Sequence, residues 1–372
     1  MSNYFPISGL AKGKAFCNRQ QEREKLKYNI ETSTATLVIS PRRYGKTSLV
    51  HQVLRDIQIP FAHIDLYKAL SEEDIVDFIL TGIGQLLGKI EPKPDKLIKV
   101  AAEFFSGLQI TLSAQGYGLS VKWDRKNKRP VDMVIASLEK LDAYAHRSHR
   151  QVVIYLDEFQ SIYQVMRNNY SIEAAIREVA QKSLNTIYIF SGSTRHIIDG
   201  IFNDKARPFY RLCDTIYLKR IETKYYKPYI NKAAKERWRH LLNEKVIDQI
   251  LALTENYPYY VNKLCHLLWA STAMPTIESA KHAWYEYAYE SKMSIDKQID
   301  ELSLNQKRIM IRLCQAPTAK PFSNHTAREW DMNPASIHQA IKVLIEKDHI
   351  YQREDGYYDI VDPLVKTVLY RY

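Results

Sequence analysis

The chain has 372 residues, 45% apolar and 26% charged, with a formal net charge of +11. That length admits two or three domains with real cores, and the basic balance favours anionic partners. Four scattered cysteines with no C-x-x-C pair exclude a disulfide framework and a cysteine zinc site, and point to a reducing, cytoplasmic setting; no apolar run approaches the roughly 18 residues a membrane helix needs.

In chain order, residues 1–15 read as a loose lead-in without a signal pattern, and 18–30 as a charged helix. The apolar run 36–39 then predicts a buried strand over 36–40, and residues 47–54 carry helical apolar spacing. Between them, Ser40-Pro-Arg-Arg-Tyr-Gly-Lys-Thr47 matches G-x-x-x-x-G-K-[ST] at every fixed position but the first, where Ser40 replaces glycine. Backbone N–H groups and a helix N-terminus cradle phosphates in such a loop, a lysine reaches the β and γ phosphates, and a Ser/Thr hydroxyl binds Mg2+. The candidate loop residues are Ser40, Pro41, Arg42, Arg43, Tyr44, Gly45, Lys46, Thr47 and Ser48. A serine at the first position would be strained at positive φ but is harmless if it continues the strand, which is the expectation.

Further strands are expected at 61–66, 151–156, 186–191 and 215–218, with helices between most of them. Such alternation predicts a parallel sheet covered on both faces. The 151–156 strand ends in Asp157 and Glu158. Ligands of open α/β sheets sit at the carboxyl ends of strands. Asp157 there can hold the magnesium through water, alongside Thr47, and Glu158 can act as general base on the attacking water. One interval is too long for a simple crossover. After helices near 78–87 and 95–105, Leu108, Ile110 and Leu112, then Leu119, Val121 and Trp123, alternate with polar residues around Gly116 and Gly118, a hairpin pattern. The basic stretch 122–129 follows, read either as a solvated loop or as a contact surface for a polyanion.

From 224 onward strands give way to helices at 225–242, 244–253, 258–273 and 277–301, whose tyrosines are expected to pack between helices. The last seventy or so residues change rhythm. Helices at 304–314, 324–330 and 334–347, with Pro334 in its first turn, precede a small hairpin around Gly356, which predicts a winged helix. The expected domains are an α/β core over 1–223 with a hairpin inserted at about 106–124, a helical lid over 224–301, and a winged helix over 302–372.

These ordered motifs resemble those of the archaeal-type ATPase family, a branch of the AAA+/STAND phosphate-loop NTPases. The likeness spans nearly the whole chain. Phe16, Arg19 and Glu22 look like its F-x-x-R-x-x-E box, the 40–49 loop like its G-P-R-R-x-G-K-T-S-L, and Asp157-Glu158 like its acidic strand end. Ser191 to Thr194 resemble the tip of its fourth strand, Asn256-Tyr-Pro258 its lid G-x-P, and Val361-Asp-Pro-Leu364 its closing D-P-[LF]. The resemblance implies a five-stranded parallel AAA+ core, a helical lid and a winged helix, with ATP between core and lid and Mg2+ as cofactor. It implies Arg19 and Glu22 near the nucleotide, Pro258 against adenine or sugar, and Ser191 or Ser193 as the γ-phosphate sensor. It also implies an arginine finger at Arg211 or Arg207, acting in cis or in trans. Asn256 departs from the lid glycine, and Tyr259 falls where related lids carry a second-sensor arginine, so turnover is expected to be slow.

The expected function is a Mg2+-dependent ATPase switch that couples nucleotide state to a protein partner, with oligomerisation open. The alternative is an ATP-gated DNA-binding regulator or replication-type protein. Ser336, His338, Gln339 and Lys342 are the candidate exposed residues of the winged helix's third helix, yet residues 300–372 hold ten basic and ten acidic side chains. DNA affinity leans on Lys/Arg–phosphate contacts, so this neutrality disfavours the module as a DNA binder. The basic stretch 122–129 and residues 195–240, the latter with twelve Lys/Arg against five Asp/Glu, are better equipped. The intact Lys46, Thr47, Asp157 and Glu158 argue against a non-hydrolysing module, and a small-molecule kinase would not need the winged helix.

Overall fold

The computed structural model describes residues 4–91, 93–106, 109–113, 118–123, 129–166, 170–193 and 195–370. They divide into two compact units, one built from 19–42 and 46–218, the other from 1–18, 43–45 and 219–372.

The first unit runs α1 (Gln20–Glu31), β1 (Thr36–Ile39), α2 (Lys46–Asp56), β2 (Phe61–Asp65), α3 (Glu72–Ile90), α4 (Pro94–Phe104), β3 (Gln109–Ser113), β4 (Gly118–Lys122), α5 (Pro130–Arg147), β5 (Val152–Asp157), α6 (Ser161–Met166), α7 (Ser171–Lys182), β6 (Thr186–Gly192), α8 (Arg195–Asn203) and β7 (Asp214–Tyr217). Its main sheet has five strands in the order β2-β5-β6-β1-β7, every pair parallel. β5 and β6 are buried at every position, which is why they read as unbroken apolar runs. The core lies between the sheet and its helices, with Ile79, Ile83 and Leu87 from α3 and Leu138 and Leu141 from α5. The register pairs Asp65 with Asp157 and Ile39 with Gly192, so the carboxyl ends of β1, β2, β5 and β6 lie at one edge.

The hairpin appears as an antiparallel pair, β3 and β4, packed on α3. Trp123 just beyond it is buried and donates its indole N–H to Asp77 at 2.9 Å. Of the basic stretch 122–129, residues 124–128 lie outside the described residues; Arg129 pairs with Asp132 at 2.8 Å.

The second unit contains a short 3-10 turn (Gly13–Ala15), then α9 (Thr223–Trp238), α10 (Glu244–Thr254), α11 (Pro258–Ala270), α12 (Ile277–Asp300), α13 (Leu304–Gln315), α14 (Asn324–Glu329), α15 (Pro334–Glu346), β8 (Ile350–Gln352), β9 (Tyr358–Ile360) and α16 (Pro363–Leu369). Local chemistry sets the boundaries. Thr276 and Ser303 close capping boxes with Ser279 and Gln306, Ser323 and Asn333 cap α14 and α15, and proline opens α11, α15 and α16. One core runs through this unit, joining Tyr226, Leu264 and Trp284 to Ile309, Ile337 and Leu344. Tyr226, Tyr257 and Tyr260 are buried as expected, but Tyr285 and Tyr289 lie on an exposed face of α12. Among the described residues no helix is long and apolar enough to cross a membrane.

Candidate nucleotide-binding site

The segment after β1 leaves the sheet and turns into α2 through Gly45, whose φ of 91° suits glycine and strains any other residue. Arg43, at φ 63°, also occupies the left-handed region. Ser40 is not among the positive-φ residues; it is buried, and its hydroxyl donates to the Pro41 carbonyl at 2.9 Å. It lies one residue past the end of β1 and has no positive φ, so serine is not strained there. Lys46 opens α2, is buried, and its Nζ donates to the Ser40 carbonyl at 3.3 Å. Arg42 is exposed and Ser48 half-buried.

Thr47, one residue on, donates its hydroxyl to Asp157 Oδ2 at 2.8 Å. This joins the two motifs across 110 residues. Asp157 is held through both carboxylate oxygens. His63 Nε2 lies 3.2 Å from the same Oδ2, while Oδ1 accepts from the Ser191 hydroxyl and from the Glu158 N–H at 3.0 Å. Burial alone would raise the pKa of this carboxyl, but hydrogen bonds from His63, Ser191 and Thr47 outweigh it and hold Asp157 well below the usual carboxylate range. Tyr155, fully buried on β5, shares a 2.9 Å hydrogen bond with the Ser191 hydroxyl.

Glu158 turns out of the strand at φ 51°, a conformation uncommon outside glycine. Its Oε2 accepts from Ser193 Oγ at 2.7 Å and from Gln160 Nε2. The two candidate serines thus separate by partner, Ser191 on Asp157 and Ser193 on Glu158. Between them Gly192 leaves no room for a side chain: an added Cβ would sit 2.4 Å from Ile198 and 2.6 Å from Gln160 Oε1.

Arg19 and Glu22 pair at 2.9 Å at the start of α1, with Arg19 buried. The two arginine-finger candidates differ sharply. Arg207 is 7% exposed, bonds the Glu173 carboxylate and stacks on Tyr170 at 4.3 Å. Arg211 is exposed at φ 56°, over the Tyr210 ring.

In the second unit, Pro258 opens α11 and Asn256 sits at φ 57° where the lid motif has glycine; asparagine tolerates that region better than most residues. Arg43 lies over the Tyr259 ring at 4.3 Å, and Tyr44 is buried against Tyr257 at 4.7 Å. Arg220, which no motif singled out, donates to Tyr44 Oη at 3.3 Å, to Glu255 Oε2 at 2.6 Å and to the Val361 carbonyl at 3.0 Å. His51 and His63 were equally invisible in the sequence, because a lone histidine in an apolar element reads as core.

Thr47 and Asp157 fit a magnesium ion. Both offer hard oxygen donors, they already touch, and they stand at the strand end beside the phosphate-type loop.

Residues 294–371 match the family model described as "Probable winged helix domain". Among curated proteins, none matches the chain. Among solved structures, the chain is similar to the Walker-type ATPase of Pyrococcus abyssi, with a TM-score of 0.72 at 16% identity over 98% of this chain and 99% of that one. It is also similar to the ORC2 protein of Aeropyrum pernix, solved with ADPNP and ADP, with a TM-score of 0.57 at 11% identity over 99% and 96%. The chain therefore has the fold of these solved structures, a five-stranded parallel α/β core followed by a C-terminal winged helix.

Proposed function

We propose that the chain is a Mg2+-dependent, ATP-binding and ATP-hydrolysing switch of the AAA+/STAND type that couples nucleotide state to a protein partner. The observation that carries this reading is the 2.8 Å hydrogen bond from Thr47, beside Lys46 in the loop, to Asp157 at the end of β5. Bound magnesium supplies charge neutralisation on the β and γ phosphates. The chain's own residues do the rest. The loop N–H groups and the start of α2 orient the phosphates, and Lys46 brings a cation to them. Asp157 fixes the Thr47 hydroxyl, and Glu158 takes a proton from the attacking water. Ser193, in contact with Glu158, is the serine we assign to γ-phosphate sensing, and Arg211, being exposed, the arginine we assign as finger. The adenine nucleotides in the Aeropyrum structure support ATP over GTP. Tyr259 at the second-sensor position supports slow turnover.

A second reading, an ATP-gated DNA-binding regulator, is favoured by the winged helix, whose α15 exposes His338, Gln339 and Lys342. The even charge of residues 300–372 weighs against it.

The test is binding of a fluorescent ATP analogue with Mg2+ to the wild type and to Lys46→Ala. Tight binding by the wild type and its loss in the variant are expected. Undiminished binding by Lys46→Ala would remove the phosphate-loop assignment.

A further inference from the structure

Asp157 receives a second line of support that starts outside the loop motifs. His63 lies on β2, the strand paired with β5, and its ring stacks on Tyr155 with centroids 4.8 Å apart and planes 12° apart. Its Nε2 lies 3.2 Å from Asp157 Oδ2, and its Nδ1 lies 3.2 Å from His51 Nε2 on α2. His51 meets the ring edge-on, with planes at 85°.

The hydrogens of this chain follow from the acceptor at its end. An ionised carboxylate only accepts, so His63 Nε2 must carry the proton it gives to Asp157. In the neutral ring Nδ1 then accepts, and the donor is His51 Nε2–H. His51 Nδ1 is left as an acceptor, and it is buried with no hydrogen-bond partner. An unsatisfied acceptor is the more tolerable orphan; the reverse arrangement would strand a buried N–H. Burial, and then the neighbouring His63, push the His51 pKa down to about 4, so this ring stays neutral near pH 7.

Two lines therefore converge on one carboxylate. His51 and His63 reach Oδ2, and Tyr155 through Ser191 reaches Oδ1. Together with Thr47 and the Glu158 N–H they hold the carboxylate through both of its oxygens.

We infer that His63, held in one tautomer by His51, is a positioning residue that fixes the Asp157 carboxylate in the orientation that meets Thr47 and magnesium. The inference rests on the reading of the site as a magnesium–ATP site. His63 acts through Asp157 and is not itself a metal ligand. Hydrogen-bond partners of metal-site carboxylates tune metal affinity by about 10- to 100-fold, and His63 has the placement to do this here.

The experiment measures Mn2+ affinity in the presence of ATPγS by electron paramagnetic resonance, for wild type, His63→Ala and His63→Gln, each checked for folding by circular dichroism. The glutamine side-chain N–H can replace the Nε2–H. His63→Ala should weaken Mn2+ binding by about tenfold or more, with ATPγS affinity in EDTA unchanged, and His63→Gln should restore most of the loss. Nitrogen NMR of the nucleotide-free protein should show the His63 proton on Nε2. Unchanged Mn2+ affinity in a folded His63→Ala, no rescue by glutamine, or a proton on Nδ1 would overturn the inference. So would a directly coordinated nitrogen in the Mn2+ spectrum that disappears in His63→Ala, since His63 would then be a ligand. If wild type itself gains no Mn2+ affinity from ATPγS, the magnesium–ATP reading fails, a result distinct from failure at His63.

Discussion

Arg207 is 7% exposed, and its guanidinium bonds Glu173, whose side chain is fully buried. Burial raises the Glu173 pKa, and the charge and hydrogen bond of Arg207 pull it back. Removing the arginine leaves a carboxylate in the core with no cation, which costs about 3–5 kcal/mol. Arg207→Ala should therefore lose about that much stability in urea unfolding, and adding Glu173→Gln should recover part of it. A loss under about 1 kcal/mol would show that the pair is not structural. The sequence left Arg207 and Arg211 equivalent, because burial has no signature in a basic loop. Lys46, Thr47 and Asp157 were legible because motif spacing and the end of an apolar run fix their places. His63 was not, because its role arises from the pairing of β2 with β5, which a single strand's sequence does not encode.

Each of the five strands of the main sheet begins and ends within one residue of its sequence expectation, and β1, β5 and β6, buried at every position, are unbroken apolar runs between turns. Helix α16 was read only as a closing motif. Its signals were present in Asp362, which caps it through the Leu364 and Val365 N–H groups, and in Pro363 at its first position. Being short and largely buried, it shows no amphipathic period. The same region holds a charge cluster that no motif announces. Glu255, at the end of α10, accepts from Arg220 and pairs with Lys366 of α16 at 3.0 Å. Burial raises its pKa, but the charges and hydrogen bonds of Arg220 and Lys366 outweigh that and leave it lowered. A depressed carboxylate contributes stability that is fully present above its unfolded pKa and is lost as pH falls through the folded one. In urea titrations, the stability advantage of wild type over Glu255→Gln should be flat near neutral pH and shrink as pH drops below about 4.5. An advantage that does not change between pH 6 and pH 3 would contradict the cluster's role.

At the scale of the whole molecule, the charge is uneven. The excess of basic residues over 195–240 contrasts with the balance over 300–372, where the winged helix lies. A winged helix with no net charge is suited to packing and regulation more than to gripping phosphates. Catalysis is open to direct measurement. That measurement is steady-state ATP hydrolysis with Mg2+ by wild type and Glu158→Gln, with and without duplex DNA. The account predicts slow hydrolysis by wild type, indifferent to DNA, and a loss of about 100-fold or more in the variant, the size expected for a general base, with ATP binding retained. Equal turnover by the two proteins would contradict the role of Glu158, and no hydrolysis by wild type would contradict the hydrolytic switch. Stimulation by DNA would transfer the account to the DNA-binding regulator.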